Sequence, residues 1–261
     1  MMNTLSISLP LDQVQMGLLV FARVLAILLS IPIFDTKGVP AIMKAGLAIA
    51  VSMLVFPRVG GPVFPPVLEL APFLTALGAE ILVGFIIGFG VKVTFAAVQL
   101  AGQYCGVQMG LMMANVLDPI SESQGSLMAA FYNLFAVLIF VSLDAHHWFL
   151  YTIDETFRLV PPGRFMPVSG TFLDLAGRGG EMFQMSLKVG APVIGVMLIT
   201  SFAFGLIART VPQMNVFIVA MPVKIAIGMI FVALSLPYLV GLLRGMYEIL
   251  AAGVIHLFIR F

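Results

Sequence analysis

Apolar residues dominate this chain in eight stretches, at about 14–34, 41–56, 72–90, 95–117, 127–143, 183–207, 216–243 and 246–261, separated by short polar breaks. A helix that crosses a bilayer needs about 20 predominantly apolar residues. Three runs, 93–117, 123–143 and 189–208, stay uncharged for that length. Elsewhere the runs are interrupted by Arg23, Lys44, Glu80, Lys92, Lys188, Lys224, Arg244 and Glu248. A charge at the centre of a lipid-facing helix costs at least about 2.5–3.5 kcal/mol. These charges are therefore expected at subunit contacts, against partner chains, backbone carbonyls or one another, in helices that face protein or a watery lumen more than lipid.

Prolines sharpen the pattern. Pro32, Pro192, Pro212, Pro222 and Pro237 lie inside or between the apolar runs, where each removes a backbone donor and bends or ends a helix. Bent helices are tolerated at membrane depth when they are buried in protein or line a cavity. The prediction is an all-α, membrane-associated chain of kinked helical hairpins. The most polar stretch, 144–181, carries Trp148, Phe149 and Tyr151 beside Asp154, Glu155 and Arg158. That mixture predicts an amphipathic helix at an interface, ended by the Pro-Pro-Gly at 161–163.

One stretch near the middle, GVQMGLMMANVLDPISESQGSLMAAF at 106–131, begins as a membrane helix would and then turns polar. Gly102, Gly106, Gly110 and Ala114 recur every four residues, with a shorter ridge at Gly84 and Gly88. Small residues at that spacing let helix backbones approach closely. Met109, Met112 and Met113 gather around the ridge, and the unbranched methionine side chain fills irregular gaps. Asp118-Pro119 ends any helix that forms there, and the chain is expected to return to helix near Leu127. Glycine, methionine and a polar break together predict a deformable apolar collar closing a pore. Farther on, Pro212, Gln213 and Asn215 predict a hairpin tip, with the amides placed to bond exposed carbonyls.

Composition supports the membrane reading. Of 261 residues, 61% are hydrophobic and 10% charged, with a mean hydropathy of +1.12, against about 45–50% and about 25% in ordinary soluble domains. A net charge of +1 offers no basic face for nucleic acid. The single Cys105 excludes an intrachain disulfide or a multi-cysteine metal site, and its apolar surroundings suit a packing role. His146 and His147 are adjacent and so point about 100° apart on a helix, which does not suit one metal. Ser121, Ser123 and Ser126 lack a nucleophile elbow or a placed histidine, and no phosphate-binding loop is present. Neither a catalytic set nor a cofactor or metal site is expected.

Four segments are similar to one family in order along the chain. FARVLAILLSIPIFDTKGVPAIMKAGLAIAVSMLVFP at 21–57, MGLMMANVLDPISESQGSLMAAF at 109–131, DAHHWFLYTIDETFRLVPPG at 144–163 and ARTVPQMNVFIVAMPVKIAIG at 208–228 resemble the flagellar biosynthetic protein FliR family. The resemblance runs from about residue 12 to 250. It implies a subunit of the type III secretion export gate, homologous to a component of virulence injectisomes. Such a subunit is expected in the bacterial inner membrane at the flagellar basal body, in a helical, pore-forming core with two other small apolar subunits. The larger export-apparatus membrane protein and exported unfolded polypeptides are the other implied partners. One export-gate domain over 1–261 is implied, with N-terminal kinked hairpins over about 1–180 and a C-terminal hairpin over about 181–261. The implied plug is the central loop, with Gly106, Met109, Gly110, Met112, Met113, Asn115, Asp118 and Pro119. The family's Asp-Pro falls on Asp118 and Pro119, and its Pro-Gln-x-Asn on Pro212, Gln213 and Asn215. The LDP-containing form of the central segment favours flagellar over injectisome use. A multi-pass small-solute transporter is the second reading. It too would show broken helices and intramembrane charges, but such transporters often carry internal repeats, and none is evident between the halves here.

Overall fold

The computed structural model describes residues 11–31, 39–59, 69–111, 126–164, 171–213 and 215–259. Among them are seven helices and no strand: α1 (Leu11–Ser30), α2 (Ala41–Val59), α3 (Leu70–Gln108), α4 (Leu127–Ser142), α5 (Ala145–Leu159), α6 (Thr171–Thr210) and α7 (Val216–Ile259). The protein is all-α. Leu11–Ser30, Ala41–Val59, Leu70–Gln108, Gly179–Thr210 and Val216–Tyr247 are each long and apolar enough to cross a membrane. With 39, 40 and 44 residues, α3, α6 and α7 are each about 60 Å long at 1.5 Å per residue. That is about twice the roughly 30 Å hydrocarbon thickness of a bilayer.

The helices are fewer and longer than the apolar runs suggest. The runs at 72–90 and 95–117 are largely one helix, α3, which continues through the half-buried Lys92. Likewise α7 joins the last two runs through Arg244. Pro192, Pro222 and Pro237 lie within α6 and α7 without ending them; the long apolar flanks outweigh one lost backbone bond at each site. Pro32 lies outside the described residues. Hydroxyls along the helices bond back to their own turn, as Ser52 does to the Ala48 carbonyl (2.6 Å) and Thr200 to Val196 (2.8 Å). That geometry satisfies a polar group without a partner on another helix.

The chain divides into two compact units that interleave in sequence. The first comprises Met1–Lys92, His147–Leu175 and Leu250–Phe261. Its core stripe on α1 is Leu19, Val20, Val24, Ile27 and Leu28. On α2 it is Ala48, Val51, Ser52 and Val55, the i, i+3, i+4, i+7 spacing of one helix face. Val83 and Ile87 of α3 and Ile153 and Phe157 of α5 complete it. The second unit comprises Val93–His146 and Ala176–Ile249. Here Phe95, Phe140 and Tyr247 pack ring to ring, with Phe140 edge-on to Tyr247 at 5.4 Å.

Helix ends follow local chemistry. Ser126 caps α4, its hydroxyl accepting from the Ala129 amide at 3.3 Å. Between α4 and α5, Asp144 takes a left-handed φ of 52°, a conformation that asparagine and aspartate tolerate better than other side chains. α5 stops at Leu159, ahead of Pro161 and Pro162, and Gly163 turns the chain at φ 75°.

Candidate functional site

Two groups of predicted residues are brought together, one in each unit. In the first, Arg23 of α1 and Glu80 of α3 are completely buried. The Arg23 Nε and Nη2 donate to the two oxygens of the Glu80 carboxylate, the second bond at 3.1 Å. Nη1 donates to the carbonyls of Thr156 (3.1 Å) and Val160 (2.9 Å) at the end of α5. Those carbonyls belong to the last turn, where the helix supplies few or no partners of its own. The guanidinium also sits 4.3 Å from the Phe157 ring centre, and Glu80 Oε1 accepts from the Gly163 amide at 2.7 Å. One ion pair thus ties α1, α3 and the end of α5. It satisfies both charges within the chain.

The remaining predicted charges sit differently. Lys44 and Lys224 are half-buried, Lys188 is exposed, and Lys92 and Arg244 each have a partner. The Lys188 carbonyl accepts from the Tyr238 hydroxyl at 3.3 Å. The side chain of Glu248 lies outside the described residues.

The small residues of α3 lie where neighbouring backbones come closest. A Cβ at Gly84 would fall 2.6 Å from the Ala26 Cβ and 2.7 Å from the Arg23 carbonyl oxygen. A Cβ at Gly88 would overlap the Cβ of Ser30. In the second unit, a Cβ at Gly102 would fall 2.7 Å from the Met128 carbonyl oxygen, and one at Gly106 2.9 Å from the Ser126 Oγ. So α3 runs against α1 at one end and against the start of α4 at the other.

That second contact frames the central stretch. α3 ends at Gln108, well before Asp118. Gly110 has φ 82°, its amide bonds the Val107 carbonyl (3.0 Å), and the Leu111 amide bonds that of Gly106 (3.0 Å). This pair of bonds around a left-handed glycine is a Schellman motif, and it explains why the helix stops there. Gly110 therefore leaves the helical ridge. Met109 is fully buried, its thioether lying across Gly228 of α7. Met112, Met113, Ala114, Asn115, Asp118 and Pro119 lie outside the described residues. Pro212 and Gln213 occupy a turn after α6, and Asn215 precedes α7, its backbone carbonyl accepting from the Ile218 amide at 3.2 Å. Met214 is not among the described residues.

Several partners of these residues carried little sequence signal. Gly163 acts through its amide and Thr156 and Val160 through their carbonyls, which no side-chain pattern marks. Gly228 is a lone glycine in an apolar helical run, which hints only at a packing reason. Tyr132 of α4 also stands out after the fact, its hydroxyl 3.7 Å from the Cys105 sulfur.

A family model described as bacterial export proteins, family 1, matches residues 14–249. The chain is 33% identical over 236 residues to the flagellar biosynthetic protein FliR of Bacillus subtilis, covering 89% of this chain and 90% of that protein. Against FliR of Pectobacterium carotovorum it is 31% identical over 222 residues, covering 83% and 82%. It is also 25% identical over 221 residues to the secretion system apparatus protein SsaT of Salmonella typhimurium, covering 84% and 85%. The resemblance read from the sequence holds along nearly the whole chain, which belongs to the bacterial export proteins of family 1, the family of the flagellar FliR proteins.

Proposed function

We propose that this chain is a structural, non-enzymatic subunit of the flagellar type III protein export gate, with the segment at about 106–125 plugging its channel. It works as one export-gate module in the bacterial inner membrane at the flagellar basal body. There it packs with the two other small gate subunits and the larger export-apparatus membrane protein, and passes unfolded polypeptides. Family membership supports the export role. The helix lengths support the assembly: helices about twice as long as the hydrocarbon layer need covering by protein beyond it. The faces of α6 and α7 are mostly uncovered within the chain, with Ile199, Phe202, Ile218 and Leu234 exposed.

The observation that carries the plug reading is the meeting of α3 and α4. Gly106 lies against Ser126, so the end of α3 that precedes the proposed plug and the start of α4 that follows it meet. Apolar residues on the stretch joining them can block a narrow lumen by excluding water, with no charged latch. Deleting about 110–124 in the assembled gate is the test. Retained assembly with ions leaking across the membrane is the expected result. Retained assembly with a tight membrane would overturn the plug.

A further inference from the structure

The outward face of α5 changes character along its length. The inner side, with Thr152, Ile153, Thr156 and Phe157, is buried. Trp148, Leu150 and Tyr151 stand exposed in the first two turns, and Arg158 in the last. Asp154 and Glu155 lie between them, each in an ion pair, Asp154 with Arg58 at 3.3 Å and Glu155 with Arg158 at 3.4 Å. One face of one helix thus runs from aromatic to charged. Its orientation is fixed, because the buried Arg23 of the Glu80 pair holds the carbonyls of Thr156 and Val160 at its end.

α2 lies beside that face. Ile42, Met43, Ile49, Met53 and Leu54 are exposed along one side of it, while Ala48, Val51, Ser52 and Val55 are buried on the other. Lys44 is half-buried and falls on the inner side by its spacing to Ala48 and Val51. The outward strip therefore carries no charge before Arg58 in the last turn. At 19 residues the helix is about 28 Å long, close to the roughly 30 Å of hydrocarbon in a bilayer. Arg58 thus marks the end of an apolar span, and its ion pair sets Asp154 at that level. Trp148 lies less than two turns before Asp154, about 9 Å of helix. Interfacial amphipathic helices bury their apolar side to a similar depth, about 5–10 Å.

We propose that α5 lies in the headgroup layer of the bilayer that α2 crosses, with Trp148 and Tyr151 among the headgroups and the Glu155–Arg158 end in water. The inference rests on the membrane placement proposed above and on no part of the plug. Tryptophan and tyrosine suit that level, each joining an apolar ring to a polar N–H or O–H. Arg58, its side chain 71% exposed, keeps donors for a lipid phosphate at the same height.

Trp148 is the chain's only tryptophan, so its fluorescence reports its own depth. The full chain is assembled with its partners in phospholipid vesicles, and the signal of the same assembly carrying Trp148→Phe is subtracted. Bromine on the acyl chains near the headgroup should quench Trp148 more strongly than bromine near the terminal methyl or iodide in the water. Moving the reporter along the helix, in Trp148→Phe with Arg158→Trp, should make iodide the strongest quencher. Trp148 quenched mainly by iodide, or mainly by terminal bromine, would overturn the headgroup placement. Quenching by none of the three would mean that protein covers the face, and would overturn it equally. The same order of quenchers at both positions would remove the split along the helix. Flotation separates the readings. An assembly that does not float with the vesicles removes the membrane placement, whereas one that floats with Trp148 unquenched by bromine removes only the docking of α5.

Discussion

Arg23 and Glu80, 57 positions apart, meet as a doubly bonded pair with neither side chain exposed. An ion pair in this setting stabilises only if its remaining donors and acceptors are also satisfied. Here the two α5 carbonyls and the Gly163 amide complete it. Removing one member strands the other charge in the core, a loss of about 3–5 kcal/mol. Arg23→Leu and Glu80→Ala should therefore each lower the thermal midpoint of the purified complex sharply. Arg23→Met with Glu80→Leu should cost less than either single change. A double variant as unstable as the sum of the singles would contradict the pairing.

Glycine substitutions along the helices should separate by position. Gly88→Ala places a methyl group on Ser30 where the backbone of α1 cannot withdraw, and overpacking of that kind costs about 1–3 kcal/mol or more. Gly205 of α6 has open space around it within the chain. Gly205→Ala removes a helix-weakening residue and should gain up to about 1 kcal/mol. The chain's resistance to urea unfolding in detergent reads both. Equal effects at the two positions would mean that the α1–α3 approach is not kept in solution.

The contrast shows what a sequence makes legible. The four-residue spacing of Gly84 and Gly88, or of Gly102 and Gly106, is local, so one helix face can be drawn from it directly. The same holds for the Pro-Pro-Gly that follows α5. The partner of Arg23 is not local: several carboxylates were available, and nothing in the periodicity selects Glu80 or the Gly163 amide. Lys92 and the prolines at 192, 222 and 237 interrupt the pattern without ending a helix, because tens of flanking apolar residues keep each helix going. Gly228 was hidden because its meaning lies in Met109, more than a hundred residues earlier. Of the predicted plug residues, only Gly106, Met109 and Gly110 fall among the described residues.

Tyr247 joins two kinds of contact that can be separated. Its hydroxyl donates to the Ala136 carbonyl at 3.3 Å, while its ring packs on Phe140 and Phe95. Tyr247→Phe keeps the rings and loses one hydrogen bond, for about 0.5–1.5 kcal/mol. Tyr247→Ala empties the aromatic cluster and should cost about 3–5 kcal/mol. Thermal unfolding of the purified complex ranks them, and a phenylalanine variant as damaged as the alanine one would show that the ring contacts are secondary.

Gly110 gives the most specific prediction, because its conformation and its place coincide. At φ 82° a Cβ crowds the neighbouring backbone, and the left-handed conformation costs about 1–2 kcal/mol for residues other than glycine. Gly110→Ala can relieve that strain by winding one more turn onto α3, which breaks the Leu111–Gly106 bond and carries the chain away from Ser126. Loss of stability and loss of tightness should therefore appear together. Asparagine tolerates the left-handed region better than alanine, so Gly110→Asn should recover much of both. Thermal midpoint and ion leakage, measured on the same assembly of the proposed gate, check the pair. Alanine and asparagine variants equal to each other in both readouts would mean that the turn at Gly110 does not set the path of the chain.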